Sequence, residues 1–125
     1  LGAAGVQIGT AFLATPESAA SNTHKEALLA ASGDDTILSK AFSGRRARSL
    51  TNAYAREMAS VDDWPDFPIM NTLTGPIRAA SAKSGSRDAI ALWSGQAVGL
   101  IEVAGTAEVF ARLIAQTAEI LRSTG

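Results

Sequence analysis

Residues 2–15, Gly2-Ala-Ala-Gly-Val-Gln-Ile-Gly-Thr-Ala-Phe-Leu-Ala-Thr15, decide how the rest of the chain is read. Val6 and Ile8, bracketed by Gly5 and Gly9, read as a very short buried strand. Gly9 and Thr10 then allow a tight turn, and Ala11 to Ala14 can wind into a helical turn. A strand, a glycine turn and a helix start together make an anion site. The unpaired N–H groups of the first turn point outward, and the helix dipole favours negative charge there. Gly9 has no Cβ to hold a phosphate away from its backbone, and the Thr10 hydroxyl adds a side-chain donor. The same pattern also serves as a plain strand–turn–helix joint, and these residues alone leave both readings open.

Composition narrows the classes. A chain of 125 residues suits one domain with a modest core. Eleven Lys and Arg against 12 Asp and Glu give a net charge of −1, which offers no electrostatic case for nucleic acid or an anionic membrane. Charged residues make up 18% of the chain, below the roughly 25% of an average globular protein, and this hints at buried faces that expect a partner. With no cysteine there is no disulfide, thiolate or Cys-type zinc chemistry. No apolar run approaches the roughly 20 residues that cross a bilayer, and the N-terminus lacks the basic region of a signal peptide. A cytoplasmic protein is the default expectation.

Along the chain, Thr15-Pro16-Glu17 predicts a helix start, with Thr15 as cap, and Gly33 a stop near Ser32. His24, the one histidine, falls among polar neighbours and reads as an exposed helix-surface residue with no acid or nucleophile set beside it. Asp34-Asp35 reads as a turn and not a metal pair, since adjacent side chains point apart. Thr36–Phe42 reads as an extended segment, an edge strand. Beyond Ser43-Gly44, the spacing of Ala47, Leu50, Ala53, Tyr54 and Met58 predicts a basic helix carrying Arg45, Arg46, Arg48 and Arg56. Three arginines within four positions read better as a solvated face than as a nucleic-acid patch.

Asp62–Pro68 (DDWPDFP) is a loop with Trp64 and Phe67 as expected anchors. Pro76 splits Ile69–Ser84 into two short helices. Small residues at Ser94, Gly95, Ala97 and Gly99 permit close backbone approach, to a planar ring or to another helix. The closing helix is capped by Thr106 and places Val109, Phe110, Leu113, Ile114, Ile120 and Leu121 on one stripe. Such a helix packs on the outside of a sheet or barrel.

Three stretches in order, GAAGVQIGTAFLATPES (2–18), DTILSKAFSGRRARSLTN (35–52) and LWSGQAVGLI (92–101), resemble the nitronate monooxygenase family, formerly called 2-nitropropane dioxygenases. The resemblance covers nearly the whole chain. It implies an α/β fold, the C-terminal portion of an FMN-binding TIM (β/α)8 barrel, mostly helical here with one or two short strands. A complete barrel takes about 250 residues, so the chain is expected to be part of a larger enzyme, with the N-terminal half of the barrel as its partner.

By that resemblance Gln7, Ile8, Gly9 and Thr10 hold the FMN phosphate, and Gly95 and Gln96 close over the flavin and substrate pocket. Arg48 and Asn52 are the substrate-side groups to expect from the arginine segment. The catalytic base of the family lies upstream, so it is not His24 and stays unknown for this chain. The implied organisation is residues 1–33 as last barrel strand, phosphate loop and following helix, 34–101 as substrate-side lid region, and 102–125 as an outer helix. The implied reaction oxidises an alkyl nitronate with O2 to a carbonyl compound and nitrite. Two alternatives stand beside it: an FMN-dependent enoyl-acyl-carrier-protein reductase, which shares a similar Val-Gln-X-Gly-Thr segment, and a non-catalytic helical module that only binds a partner.

Overall fold

Two short strands, β1 (Thr36–Ser39) and β2 (Ala47–Leu50), pair antiparallel in the computed structural model, which describes residues 3–123. Thr36 faces Leu50 and Ser39 faces Ala47. The connection between them depends on Gly44, whose φ is +81°. A Cβ built there would lie 2.5 Å from the Pro65 carbonyl oxygen, so both the left-handed backbone and the space demand glycine. β1 realises the first part of the extended segment expected over Thr36–Phe42.

β2 corrects the basic helix expected after Gly44. Ala47–Leu50 is strand, and the helix, α3, is confined to Ala53–Glu57. The cause is non-local. β2 bonds β1 on one edge and the 92–94 segment on the other, where Leu50 N–H donates to the Leu92 carbonyl at 2.8 Å and Ser94 N–H to the Arg48 carbonyl at 3.1 Å. Ser49 and Trp93 form the bridge between those two bonds. Backbone groups satisfied on both edges outweigh a helical spacing in which much of the apolar face is alanine.

The buried strand expected at Val6–Ile8 is also corrected. Val6 is 81% exposed and Ile8 43%, and no strand flanks them among the described residues. An extended segment without a neighbour makes no ladder, so nothing holds it as a strand. Leu1 and Gly2, the leading edge of that expectation, lie outside the described residues. The helical turn does form, as α1 (Thr10–Leu13), with Phe12 and Leu13 N–H both donating to the Gly9 carbonyl at 3.0 and 3.1 Å.

Helix α2 (Asn22–Ala30) starts at Asn22 and not at Pro16, capped by Ser21, whose hydroxyl accepts from His24 N–H. Thr15 and Glu17 have the right chemistry for an earlier start but are spent on the last helix. Thr15 Oγ1 accepts from Thr106 Oγ1 at 2.9 Å, and Glu17 Oε2 accepts from Thr106 N–H at 3.1 Å. Pro76 separates α4 (Ile69–Leu73) from α5 (Gly75–Lys83), as expected. Phe67 does not anchor its loop: it is 45% exposed and stacks instead beneath the Arg45 guanidinium, 4.4 Å from the ring centroid. Helix α6 (Thr106–Ser123) closes the described chain, with Glu108 in its first turn and Arg122 in its last, each suiting the dipole.

The core gathers Ala27 and Leu28 of α2, Leu50 of β2, Leu92 and Val98, with Leu13 and Ile101 packed against them. Beside it Phe42, fully buried, meets Tyr54 at 5.0 Å and the edge of Trp93 at 5.8 Å between ring centroids. Both clusters lean on the 92–98 segment, which is thereby held between β2 and α2.

Candidate functional site

Gln7, Ile8, Gly9 and Thr10 line a cavity of about 480 Å3 together with Gly95, Gln96 and α6 residues including Arg112. Two stretches far apart in sequence thus meet at one hollow. Their link is explicit: Gly95 N–H donates to Thr10 Oγ1 at 2.7 Å. A hydroxyl that accepts still has its own hydrogen to give, so Thr10 keeps a donor for whatever enters the cavity. Gly95 allows that approach, since a Cβ there would sit 3.2 Å from Thr10 Oγ1.

Gly9 is glycine without a local reason. Its φ of −113° and ψ of −50° suit any residue, and a Cβ built on it would meet nothing within 4 Å. The N–H groups of Thr10 and Ala11 precede the first intrahelical bond and have no acceptor within the helix. Gly9, Thr10 and Ala11 all line the cavity, so an open glycine backbone, a hydroxyl and two N–H groups without a helical acceptor belong to its wall. Arg112 is ion-paired with Glu102, and both line the cavity, so their charges largely cancel there.

Arg48 and Asn52 do not line this cavity. Arg48 lies on β2 and its Nη1 donates to Thr36 Oγ1 at 2.9 Å, bracing the hairpin. Asn52, almost completely buried, caps α3 by accepting from Ala55 N–H at 2.9 Å. Its amide nitrogen donates to the carbonyls of Arg87 and Ile90, at 2.9 and 2.8 Å. Every polar atom of that side chain is committed to holding the 87–90 loop to α3.

His24 departs from the exposed position expected of it. It is half-buried, and its Nε2 lies 3.0 Å from the Trp93 carbonyl oxygen. Burial pushes its pKa below the ordinary value of 6.5, against the opposing pull of that carbonyl. The signal available in the sequence was its spacing: His24 stands three and four positions before the buried Ala27 and Leu28, one turn up the inward face. Among the described residues no group of three or more His, Asp or Glu side chains is placed to hold a metal ion. No helix among them is long and apolar enough to cross a membrane.

Comparison with known proteins agrees with the motifs. The family model for nitronate monooxygenase matches residues 1–116. A probable nitronate monooxygenase of Staphylococcus aureus (strain Newman) is 40% identical over 123 residues, covering 98% of this chain and 35% of the relative. The crystal structure of nitroalkane oxidase from Streptomyces ansochromogenes superposes with a TM-score of 0.85 at 39% identity, over 95% of this chain and 34% of that one. FabK from Thermotoga maritima is less similar, with a TM-score of 0.67 at 28% identity, over 95% of this chain and 39% of that one. The chain spans about a third of the length of these proteins. Its fold class is accordingly α/β, a portion of the family's TIM-type barrel that is mostly helical here with two antiparallel strands. The nitronate monooxygenase family is where this chain belongs.

Proposed function

We propose that the chain forms the phosphate-anchoring part of an FMN-dependent nitronate monooxygenase, with Gln7, Ile8, Gly9 and Thr10 receiving the phosphate and Gly95 and Gln96 walling the pocket. One observation carries the reading: the 480 Å3 cavity joins these two stretches, and the Thr10–Gly95 hydrogen bond ties them together. The donor set suits a phosphate. Main-chain N–H groups and a hydroxyl reach a tetrahedral anion from several directions, and the bare Gly9 backbone leaves room for its oxygens. Because Arg112 is already paired with Glu102, the phosphate would be held by neutral donors and not by a free cation from this wall.

Bound there, FMN supplies the redox chemistry by which a nitronate is oxidised with O2 to a carbonyl compound and nitrite. This chain's own residues bind and orient. Thr10 holds the anchor on one side and Gly95 on the other, while Gln96 and the α6 face limit access of water. On this reading the chain divides into anchor (1–33), substrate-side region (34–101) and outer helix (102–125), with the remaining barrel supplying the base. The enoyl-acyl-carrier-protein reductase reading has the weaker likeness on its side, 28% identity against 39%. The helical-module reading has no counterpart for the cavity or for a family match over residues 1–116.

The test uses the full-length flavoprotein. Gly9→Val places a branched side chain in the phosphate's space while leaving an unstrained backbone. The expected result is loss of bound flavin, read from the visible absorbance per mole of protein, with the unfolding transition little changed. Retention of flavin at the wild-type ratio would remove the anchor from residue 9. Wild-type protein should consume O2 when given propyl nitronate, and no uptake would count against the monooxygenase reading.

A further inference from the structure

Three consecutive residues, Trp93, Ser94 and the cavity-lining Gly95, are each held from a different part of the fold. The Trp93 carbonyl accepts from His24 Nε2 at 3.0 Å, across 69 positions of sequence. The next N–H, Ser94, donates to the Arg48 carbonyl at 3.1 Å. The N–H after that, Gly95, donates to Thr10 Oγ1 at 2.7 Å. The peptide group between Trp93 and Ser94 is therefore pinned at its oxygen and at its nitrogen. The Gly95 N–H belongs to the next peptide plane, joined to this one only through the φ and ψ of Ser94, which its own buried position restrains.

We propose that His24 is a positioning residue for the cavity: through the Trp93 carbonyl it pins the peptide group from which the chain steps, across Ser94, to the Gly95 N–H that meets Thr10. The role rests, for its purpose, on the flavin-pocket reading given above. The chemistry constrains the imidazole. A carbonyl only accepts, so Nε2 carries the hydrogen and the neutral ring is the Nε2–H tautomer. The contact is half-buried, so losing the donor costs the net worth of one partly shielded hydrogen bond. Of the three holds, the Arg48 bond belongs to the sheet and the Thr10 bond to the cavity itself. His24 adds a side chain from α2 that braces the segment from a third direction. It touches neither the cavity nor any residue named as an anchor, which separates it from the catalytic machinery.

The experiment compares wild type, His24→Leu and His24→Gln in the full-length protein. Two quantities are read: amide hydrogen exchange across residues 94–96, and the Kd of the apoprotein for FMN. Loss of the donor in His24→Leu should speed exchange there and weaken FMN binding roughly tenfold, the effect of one net hydrogen bond. His24→Gln, whose amide can present a donor to the same carbonyl, should bring both back to within about twofold of wild type. A merely space-filling role predicts no such rescue. Should His24→Leu fail to fold, His24→Asn, whose shorter amide falls short of Trp93, takes its place. Unchanged exchange across 94–96 in the donorless variant overturns the positioning role, as does faster exchange that Gln does not restore. Faster exchange with an unchanged Kd and a Gln rescue upholds the positioning and overturns the flavin reading of the cavity instead.

Discussion

Ser49 has a hydroxyl that its surroundings do not use. It is wholly buried on β2, and its Oγ has no hydrogen-bond partner among the described residues. Removing a group that lost its water and gained nothing relieves that cost. Ser49→Ala should therefore raise stability by about 1 kcal/mol, read from denaturant midpoints, and a loss of comparable size would show that the oxygen has a partner after all. Gly44 predicts the reverse. With φ at +81° and the Pro65 oxygen 2.5 Å from where a Cβ would sit, Gly44→Ala must distort both the hairpin connection and the 62–68 loop. A loss of about 3 kcal/mol or more is expected from strain of that kind, and a loss under about 1 kcal/mol would mean the two loops part easily. Of these residues, Gly44 was legible as a turn. Nothing local marks Ser49 as buried, because its burial comes from two partners distant in sequence.

Among the elements, those with local punctuation were legible. Pro76 splits α4 from α5 and β1 follows Asp34-Asp35, each set by chemistry within a few residues. Elements decided by distant partners were not. Residues 47–50 have a helix-like spacing and become strand because β1 and the 92–94 segment bond both edges. Thr15 and Glu17 look like a helix cap and first-turn acid, yet Glu17 accepts the Thr106 N–H at the start of α6 and Thr15 accepts the Thr106 hydroxyl. Glu17 gives that link a pH dependence. Its carboxyl is held below the ordinary 4.5, first by its own backbone N–H and then by that of Thr106. A carboxyl lowered in the folded state contributes stability above its unfolded value, and the contribution fades as pH falls through the folded one. The gap in melting temperature between wild type and Glu17→Gln should thus be present at neutral pH and narrow as pH falls below the ordinary carboxylate range. A gap that does not narrow with falling pH would assign it to packing and not to charge.

At the scale of the whole molecule, the cavity was legible only in pieces. The motifs at 7–10 and 95–96 could be read, but their meeting depends on α2 and β2 docking on the 92–101 segment and on α6 packing against α1. The outer surface of α6 shows the same dependence. Phe110 and Ile114 are more than half exposed and share an apolar hollow of about 490 Å3 with Val6, Ile8 and Phe12. In the proposed full-length enzyme the rest of the barrel would cover it. The attachment of α6 also bears on recombination between relatives. This 18-residue helix takes its opening hydrogen bonds from Glu17 and Thr15, about 90 positions upstream. A crossover anywhere between them hands a grafted tail to foreign partners, so chimaeras that inherit both ends from one parent should outlive those that split them.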